Sequence, residues 1–184
     1  MKEKQHEEEE GRKRKRRKGG KEFINEFEID GEYQQGKPLW NGKDYLDRDG
    51  DIDLSNMDLT ELPCIFPEVW EKSFYCNDNQ LTSIEGAPKI IGGSFICSYN
   101  KLTSLKGSPE KIKHSFYCNN NELISLKKGP IEVKYEYYCS NNQLTSLEGV
   151  PSIVLGRFDC HNNKVKFTQE DVLKVTKTES RIIV

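Results

Sequence analysis

The sequence predicts a mostly β repeat solenoid, in which short parallel strands stack coil upon coil. Two observations predict this fold: several kinds of residue recur at one fixed spacing, and the chain is too polar for a compact globule. Only 34% of its 184 residues are hydrophobic, whereas 32% are charged. A globular domain of this length normally holds more apolar residues. A stacked repeat needs fewer, because each coil buries only a short stripe against its neighbours.

The repeat has a period of 21 residues, and five ladders of residues share its register. The ladders are Phe74, Phe95, Phe116, Tyr137 and Phe158; Cys76, Cys97, Cys118, Cys139 and Cys160; Asn79, Asn100, Asn121, Asn142 and Asn163; Leu81, Leu102, Leu123, Leu144 and Val165; and Pro67, Pro88, Pro109, Pro130 and Pro151. A shared register in all of them predicts a tandem array of one structural unit, and the period lies in the range of solenoid repeats.

The order of residue types within a coil predicts which side chains form the core. Alternate side chains of a strand share a face, so Phe74 and Cys76 point inward while Tyr75 points to solvent. Asn79 follows where the chain turns. We expect its buried amide to bond backbone groups of its own coil and of the next coil.

The second half of each coil is predicted to close the core from the far side. We expect Leu81 and Ile84 to face inward, together with a ladder that leads into the next coil. That ladder is Ile91, Ile112, Val133 and Val154. Because glycine and proline disfavour helix at positions such as Gly86 and Pro88, the convex side should be extended or a short 3₁₀ turn.

The ends depart from the repeat, as capping coils do. A first coil begins at Ile52 with a step of 22 residues, which places Leu54 in the cysteine position and Met57 in the asparagine position. At the other end, Thr168 followed by Asp171 has the pattern of a helix N-cap. We predict a short helix over 172–175 and a strand over 181–184 that cover the open end.

The coil motif Phe-x-Cys-x-x-Asn-x-Leu-x-x-Leu resembles a leucine-rich repeat with phenylalanine and cysteine at two of the leucine places. The blocks 76–88 and 139–151 are similar to the short leucine-rich repeats of bacteriophage, giant-virus and bacterial proteins. The end at 164–172 resembles the terminus of phage-encoded members. This resemblance covers about residues 50–184. It implies a parallel sheet on the concave face and a viral or phage origin.

The stretch 29–37 looks like a MORN-type hairpin, and 40–43 resembles the start of the next strand. Such units usually act as scaffolds or contact lipid headgroups. A single hairpin is marginally stable, so we expect it to pack on the first coil and cap it. The chain thus divides into a disordered charged tail (1–18), a MORN-like N-terminal cap (19–47), a solenoid of about six coils (48–166) and a C-terminal cap (167–184).

No arrangement of residues predicts catalysis, a metal site or a cofactor. The ladder cysteines should be buried, where thiols behave as small hydrophobes, and the chain contains no Cys-x-x-Cys pair. Asp159 and His161 share the outer face of one strand, but no third outward ligand accompanies them, so we expect two ordinary surface residues. No Gly-rich phosphate loop, nucleophile elbow or pair of acids stands out. These patterns favour a binding protein over an enzyme.

The outer face of the strands is the predicted surface for a protein partner. An aromatic row flanked by small amides has the composition of a recognition surface. The predicted contact residues are Tyr75, Ile96, Tyr99, Tyr117, Tyr138, Asn77, Asn119 and His161, with Ser98 and Ser140 in the flanking row. The high β propensity of tyrosine and its pairing across strands would explain the row without any partner.

Two other functions stay open from the sequence. A basic run that could contact nucleic acid consists of Arg12, Lys13, Arg14, Lys15, Arg16, Arg17 and Lys18. It could equally be a solvated tail, partly neutralised by the acids at 7–10. The other is a bacterial or viral effector, since bacterial effectors fuse similar repeats to catalytic domains. Only about 20 residues follow the predicted solenoid, so we expect such an effector to lack a catalytic domain of its own.

The sequence also predicts where the protein resides. It begins without an apolar run, so we expect no secretory signal. No stretch reaches the roughly 20 apolar residues of a membrane helix. We therefore expect a cytoplasmic monomer with reduced cysteines, and association with a virion stays open.

Overall fold

The computed structural model describes residues 37–184 and, before them, only three short strands at 16–18, 21–23 and 33–34. In chain order the elements are β1 (Arg16–Lys18), β2 (Lys21–Phe23), β3 (Tyr33–Gln34), β4 (Lys37–Pro38), β5 (Ile52–Asp53), β6 (Val69–Trp70), β7 (Phe74–Tyr75), β8 (Ile90–Ile91), β9 (Phe95–Ile96), β10 (Lys111–Ile112), β11 (Phe116–Tyr117), β12 (Glu132–Val133), β13 (Tyr137–Tyr138), β14 (Phe158–Asp159), α1 (Gln169–Val175) and β15 (Ile182–Ile183). Apart from β1, the predicted charged tail lies outside the described residues.

Two parallel sheets run along the molecule. The large sheet has seven strands in the order β15-β14-β13-β11-β9-β7-β5, and the small sheet has four in the order β12-β10-β8-β6. Equivalent residues of successive coils pair, so Phe74 lies opposite Phe95, and Phe95 opposite Phe116. The described chain is a parallel-strand β-solenoid of about six turns, which confirms the predicted fold class.

The second half of each coil is extended, as its glycine and proline pattern predicts. No 3₁₀ helix occurs within 37–184. Two-residue strands such as β8 and β10 pair there into the small sheet, which the sequence analysis did not predict. The ladder that leads into the next coil faces inward as predicted. Ile91, Ile112 and Val154 are fully buried, and Val133 is 2% exposed.

A column of aromatic rings, one from each of five coils, forms the centre of the core. Its members Phe74, Phe95, Phe116, Tyr137 and Phe158 are fully buried, with neighbouring ring centroids 5.2 to 6.0 Å apart. All six cysteines are free and buried beside this column, as predicted. The leucine ladder fails only at its end: Val165 is 42% exposed, because α1 rather than another coil follows it.

The asparagine ladder ties successive coils together. Asn100 Oδ1 accepts the N–H of Leu81 at 2.9 Å, and Asn100 Nδ2 donates to the carbonyls of Cys76 at 2.9 Å and Cys97 at 3.1 Å. Each asparagine side chain thus bonds backbone groups of its own coil and of the preceding coil. The prediction that it would bond the next coil was wrong. The carbonyl of Cys76 faces the following coil, since its own N–H donates to Ile96 there. The asparagine that reaches this carbonyl therefore belongs to the later coil.

The C-terminal cap matches its prediction closely. Thr168 accepts the N–H of Asp171, whose side chain accepts the N–H of Thr168, so a complete capping box starts α1. The helix begins at Gln169, slightly earlier than predicted. Beyond it, β15 pairs in parallel with β14 and extends the large sheet. Within the described residues, no helix has the length and apolar character needed to span a membrane.

The N-terminal cap begins with an antiparallel hairpin, because β3 pairs with β4. The chain then packs directly on the first coil. The N–H of Trp40 donates to the carbonyl of Ile65 at 2.8 Å, and the Trp40 ring meets Trp70 edge-on at 5.2 Å. Lys37 Nζ donates to the carbonyl of Leu62 at 2.9 Å. These contacts place Lys37 and Trp40 against the first coil.

Candidate partner-binding surface

Four side chains at equivalent positions line the outer face of the large sheet, the face that the sequence predicted to be concave. They are Tyr75, Ile96, Tyr117 and Tyr138, which we call the tyrosine stripe. All four are half-buried, whereas the residues on either side of each one along the strand are buried. The predicted alternation of faces is therefore present in every one of these coils.

Tyr117 and Tyr138, the last two members of the stripe, form a stacked pair. The ring centroids of Tyr117 and Tyr138 lie 4.7 Å apart, with 23° between the ring planes. The guanidinium carbon of Arg157 lies 5.1 Å from the centre of the Tyr138 ring. The hydroxyl of Tyr117 donates to the carboxylate of Glu136. Burial, followed by the hydrogen bond to Glu136 and its negative charge, raises the pKa of Tyr117 to about 12, so the hydroxyl is a neutral donor.

A ladder of serines forms the rim where the strands of the large sheet begin. The hydroxyl of Ser73 accepts the N–H of Ser94 at 3.3 Å, and Ser94 accepts that of Ser115 at the same distance. Ser115 in turn accepts the N–H of Glu136 at 3.4 Å. In the last two coils Glu136 and Arg157 take the serine place. Neither residue was predicted as part of the site, although the break in an otherwise uniform ladder is visible in the sequence.

A cleft of about 470 Å³ opens between this rim and the tyrosine stripe. Its lining includes Tyr75, Ile96 and Tyr117 from the stripe. From the rim it includes Glu136 and Arg157, together with the rings of His114 and Tyr135, whose centroids lie 4.5 Å apart with 33° between the ring planes. The cleft thus places one carboxylate and one guanidinium next to aromatic and aliphatic surface.

The row beside the stripe is less exposed than the sequence predicted. Asn77, Asn119 and His161 are half-buried on the outer face. Ser98 and Ser140, however, are only 5% and 3% exposed, so their expected place at the surface was wrong.

Tyr99, three residues after β9, differs from its equivalents in the other coils. It is 55% exposed, and its backbone has a φ of 54°. The equivalent residues in the other coils share this left-handed conformation, and they are Asp78, Asn120, Asn141 and Asn162. Asparagine and aspartate tolerate positive φ, whereas a tyrosine there is strained. A strained, exposed aromatic side chain at this place has no evident role in the stability of the fold.

Asp159 is not the surface residue that the sequence predicted. It is 2% exposed, and β15 pairs with its strand so that Ile183 lies opposite. Its carboxylate is 3.1 Å from Arg157 Nη2 and 2.6 Å from His161 Nδ1. A buried carboxylate needs such partners to offset its desolvation. Asp159 therefore holds Arg157 and His161 in place at the end of the large sheet.

The cysteines show no sign of a reactive or metal-binding site. Burial raises the pKa of every ladder thiol, to about 12 for Cys160, and that of Cys64 also to about 12. A neutral thiol is a poor nucleophile and a poor metal ligand. Among the described residues, no group of three or more histidine, cysteine, aspartate or glutamate side chains could hold a metal ion.

The basic run lies mostly beyond the described residues. Residues 12–15 fall outside them, and Arg16–Lys18 forms β1, which pairs antiparallel with β2. Comparisons with protein-family models, with curated proteins and with solved structures gave no match to this chain.

Proposed function

We propose that this protein is a non-catalytic binding scaffold whose tyrosine stripe contacts a protein partner. The observation that carries the proposal is the row of large side chains that stays partly exposed on the outer face of the large sheet. Tyrosine and arginine are enriched at the energetic centres of protein interfaces. Here Tyr117 and Tyr138 form a stacked pair, and Arg157 lies over the ring of Tyr138.

The dimensions of the stripe fit a segment of polypeptide. Parallel strands stack at about 4.8 Å, so Tyr75 and Tyr138 are about 14 Å apart. That span suits an extended strand, a turn of helix or a loop. The β propensity of tyrosine is enough to explain the stripe without a partner. It does not explain Tyr99, which follows the strand and has a positive φ. Tyr99 therefore favours recognition over a purely structural explanation.

We also propose that the coils are leucine-rich repeats of the bacteriophage, giant-virus or bacterial type, and that the N-terminal hairpin is MORN-like. The support is the 21-residue spacing of the ladders and the antiparallel pairing of β3 with β4. Nucleic-acid binding by the basic run is the alternative. Salt separates the two, because counter-ion release makes tail-driven binding fall steeply with ionic strength, whereas stripe-driven binding should change little.

The test compares two pairs of substitutions in the full chain. A partner captured from the native host lysate is purified, and its affinity is measured for wild type and for Tyr117→Ala with Tyr138→Ala. Because aromatic anchors cost about 2 kcal/mol or more each when truncated, we expect a loss of about a hundredfold or more. Circular dichroism and thermal unfolding confirm that each variant remains folded.

The matched control changes two exposed charges on the far side, Lys106→Ala with Glu148→Ala. At the surface Lys106 pairs with Glu85, and Glu148 pairs with Lys127, so partner affinity should stay within about twofold of wild type. If the charge pair abolished binding and the tyrosine pair left it intact, the stripe would not be the binding surface.

A further inference from the structure

The cleft beside the tyrosine stripe contains a carboxylate, Glu136, that forms no ion pair with any lysine or arginine that the structure describes, although Arg157 lines the same cleft. Glu136 accepts a hydrogen bond from the Tyr117 hydroxyl. Ser115 and its neighbours supply hydroxyls along the same rim. A carboxylate next to aromatic faces is a favourable setting for a cation.

The next coil shows how this surface holds a guanidinium. There Arg157 lies 5.1 Å from the centre of the Tyr138 ring and 3.1 Å from a carboxylate oxygen of Asp159. One coil earlier Tyr117 occupies the place of Tyr138, whereas Glu136 occupies the place of Arg157 and Tyr138 that of Asp159. That coil therefore has the ring and the acid but lacks an arginine of its own.

The charge along the outer face of the large sheet has the matching sign. Acids occupy the rim and stripe rows in the first coil and in the cleft: Asp51, Asp53 and Glu136, while the fourth acid, Asp159, is already paired with Arg157. In these two rows within 51–159, Arg157 is the only arginine or lysine. An approaching basic segment would therefore meet a complementary field.

We propose that the cleft accepts an arginine side chain from an extended basic segment of the partner, with its guanidinium paired to Glu136 and stacked against the stripe at Tyr117. The inference rests on the proposed function and adds the chemistry of the partner. Arginine fits better than lysine because a planar guanidinium stacks on a ring while it donates two hydrogen bonds to a carboxylate. Ile96 and Tyr75 would contact its aliphatic stem.

The test uses the full chain and a defined probe, the blocked tripeptide acetyl-Gly-Arg-Gly-amide. The control probe carries citrulline, which has the shape of arginine without its charge. Titrations are followed by the ring proton resonances of Tyr117 and Tyr138. We expect saturable shifts with the arginine probe, and binding weaker by about tenfold or more with citrulline and with Glu136→Gln.

The matched control is Glu132→Gln, an exposed carboxylate on the small sheet, which should leave probe binding unchanged. Absence of saturable binding, or equal binding of the citrulline probe, would overturn the proposal. If Glu136→Gln shifted resonances of the basic run at 12–18 without any probe, the occupant would be this chain's own segment and not a partner.

The two proposals fail in different ways. A captured partner that needs Tyr117 and Tyr138 but tolerates Glu136→Gln would overturn the arginine site and leave the binding stripe standing. A partner indifferent to the tyrosines would overturn the proposed function, whatever the tripeptide does.

Discussion

Removal of a single ladder amide, by Asn121→Ala, should destabilise the central coils severely. Asn121 Oδ1 accepts the N–H of Leu102 at 3.0 Å, and Nδ2 donates to the carbonyls of Cys97 at 3.0 Å and Cys118 at 3.1 Å. These backbone groups lie in the interior, where each polar group left without a partner costs about 1–3 kcal/mol. Because the three backbone groups can shift and recover part of this cost, the total is less than the sum of three full penalties. We expect a loss of about 3 kcal/mol in the free energy of unfolding.

The measurement is urea unfolding followed by circular dichroism, with the midpoint and slope compared to wild type. The matched control is Asn119→Ala, the same change two residues earlier on the outer face, where the residue is half-buried. This control should change stability by about 0.5 kcal/mol or less. Tyr117→Ala should also cost less than Asn121→Ala. The reasoning is refuted if either outer-face substitution proves as damaging as the loss of the ladder amide.

Three further outcomes follow from buried thiols, a buried hydroxyl and a strained tyrosine. Under native conditions at pH 8, the raised pKa of Cys97 and Cys118 should keep both thiols unreactive towards iodoacetamide until urea unfolds the chain, and rapid labelling would contradict their burial. Tyr137→Phe should raise the free energy of unfolding by about 1 kcal/mol in the same urea assay, because the buried hydroxyl has no hydrogen-bond partner among the described residues, and a loss of stability would show that it has one. Tyr99→Asn should also stabilise the fold by about 1 kcal/mol while weakening partner binding, and an unchanged affinity would remove this residue from the surface.

Periodicity made most of the fold predictable from the sequence. A shared 21-residue step placed Phe74 and Cys76 in the core, and alternation then placed Tyr75 outside. The capping box at Thr168 was equally visible, because its chemistry is local. Such features depend on neighbours in the chain or on identical neighbours in space, and both can be read from a repeat.

Features that depend on contacts between unlike segments could not be predicted. The burial of Asp159 results from β15, a strand outside the repeat that extends the large sheet over it. The direction of the Asn100 hydrogen bonds depends on which way the carbonyl of Cys76 faces, which residue spacing does not specify. The cleft beside Glu136 could not be predicted, because residue spacing does not show that the rim and the stripe lie next to each other.

Residues that break a ladder carry a large part of the proposal about function. Glu136 and Arg157 replace serine in the rim, and Tyr99 replaces asparagine or aspartate in the left-handed turn. A repeat supplies its own reference for each position, so a departure that the packing does not require points to another role. At the candidate site three such departures, Glu136, Arg157 and Tyr99, accompany the tyrosine stripe.

Hydroxyl-radical footprinting of the free and partner-bound protein tests the central claim most directly, because mass spectrometry reports the protection of each side chain without any substitution. Binding to the stripe predicts reduced oxidation of Tyr75, Tyr117 and Tyr138 in the complex. The exposed side chains Ile131, which precedes β12 of the small sheet, and Ile153, which forms a bridge with Lys177, should be oxidised as in the free protein. Protection of Ile131 and Ile153 with unchanged oxidation of the three tyrosines would contradict the account.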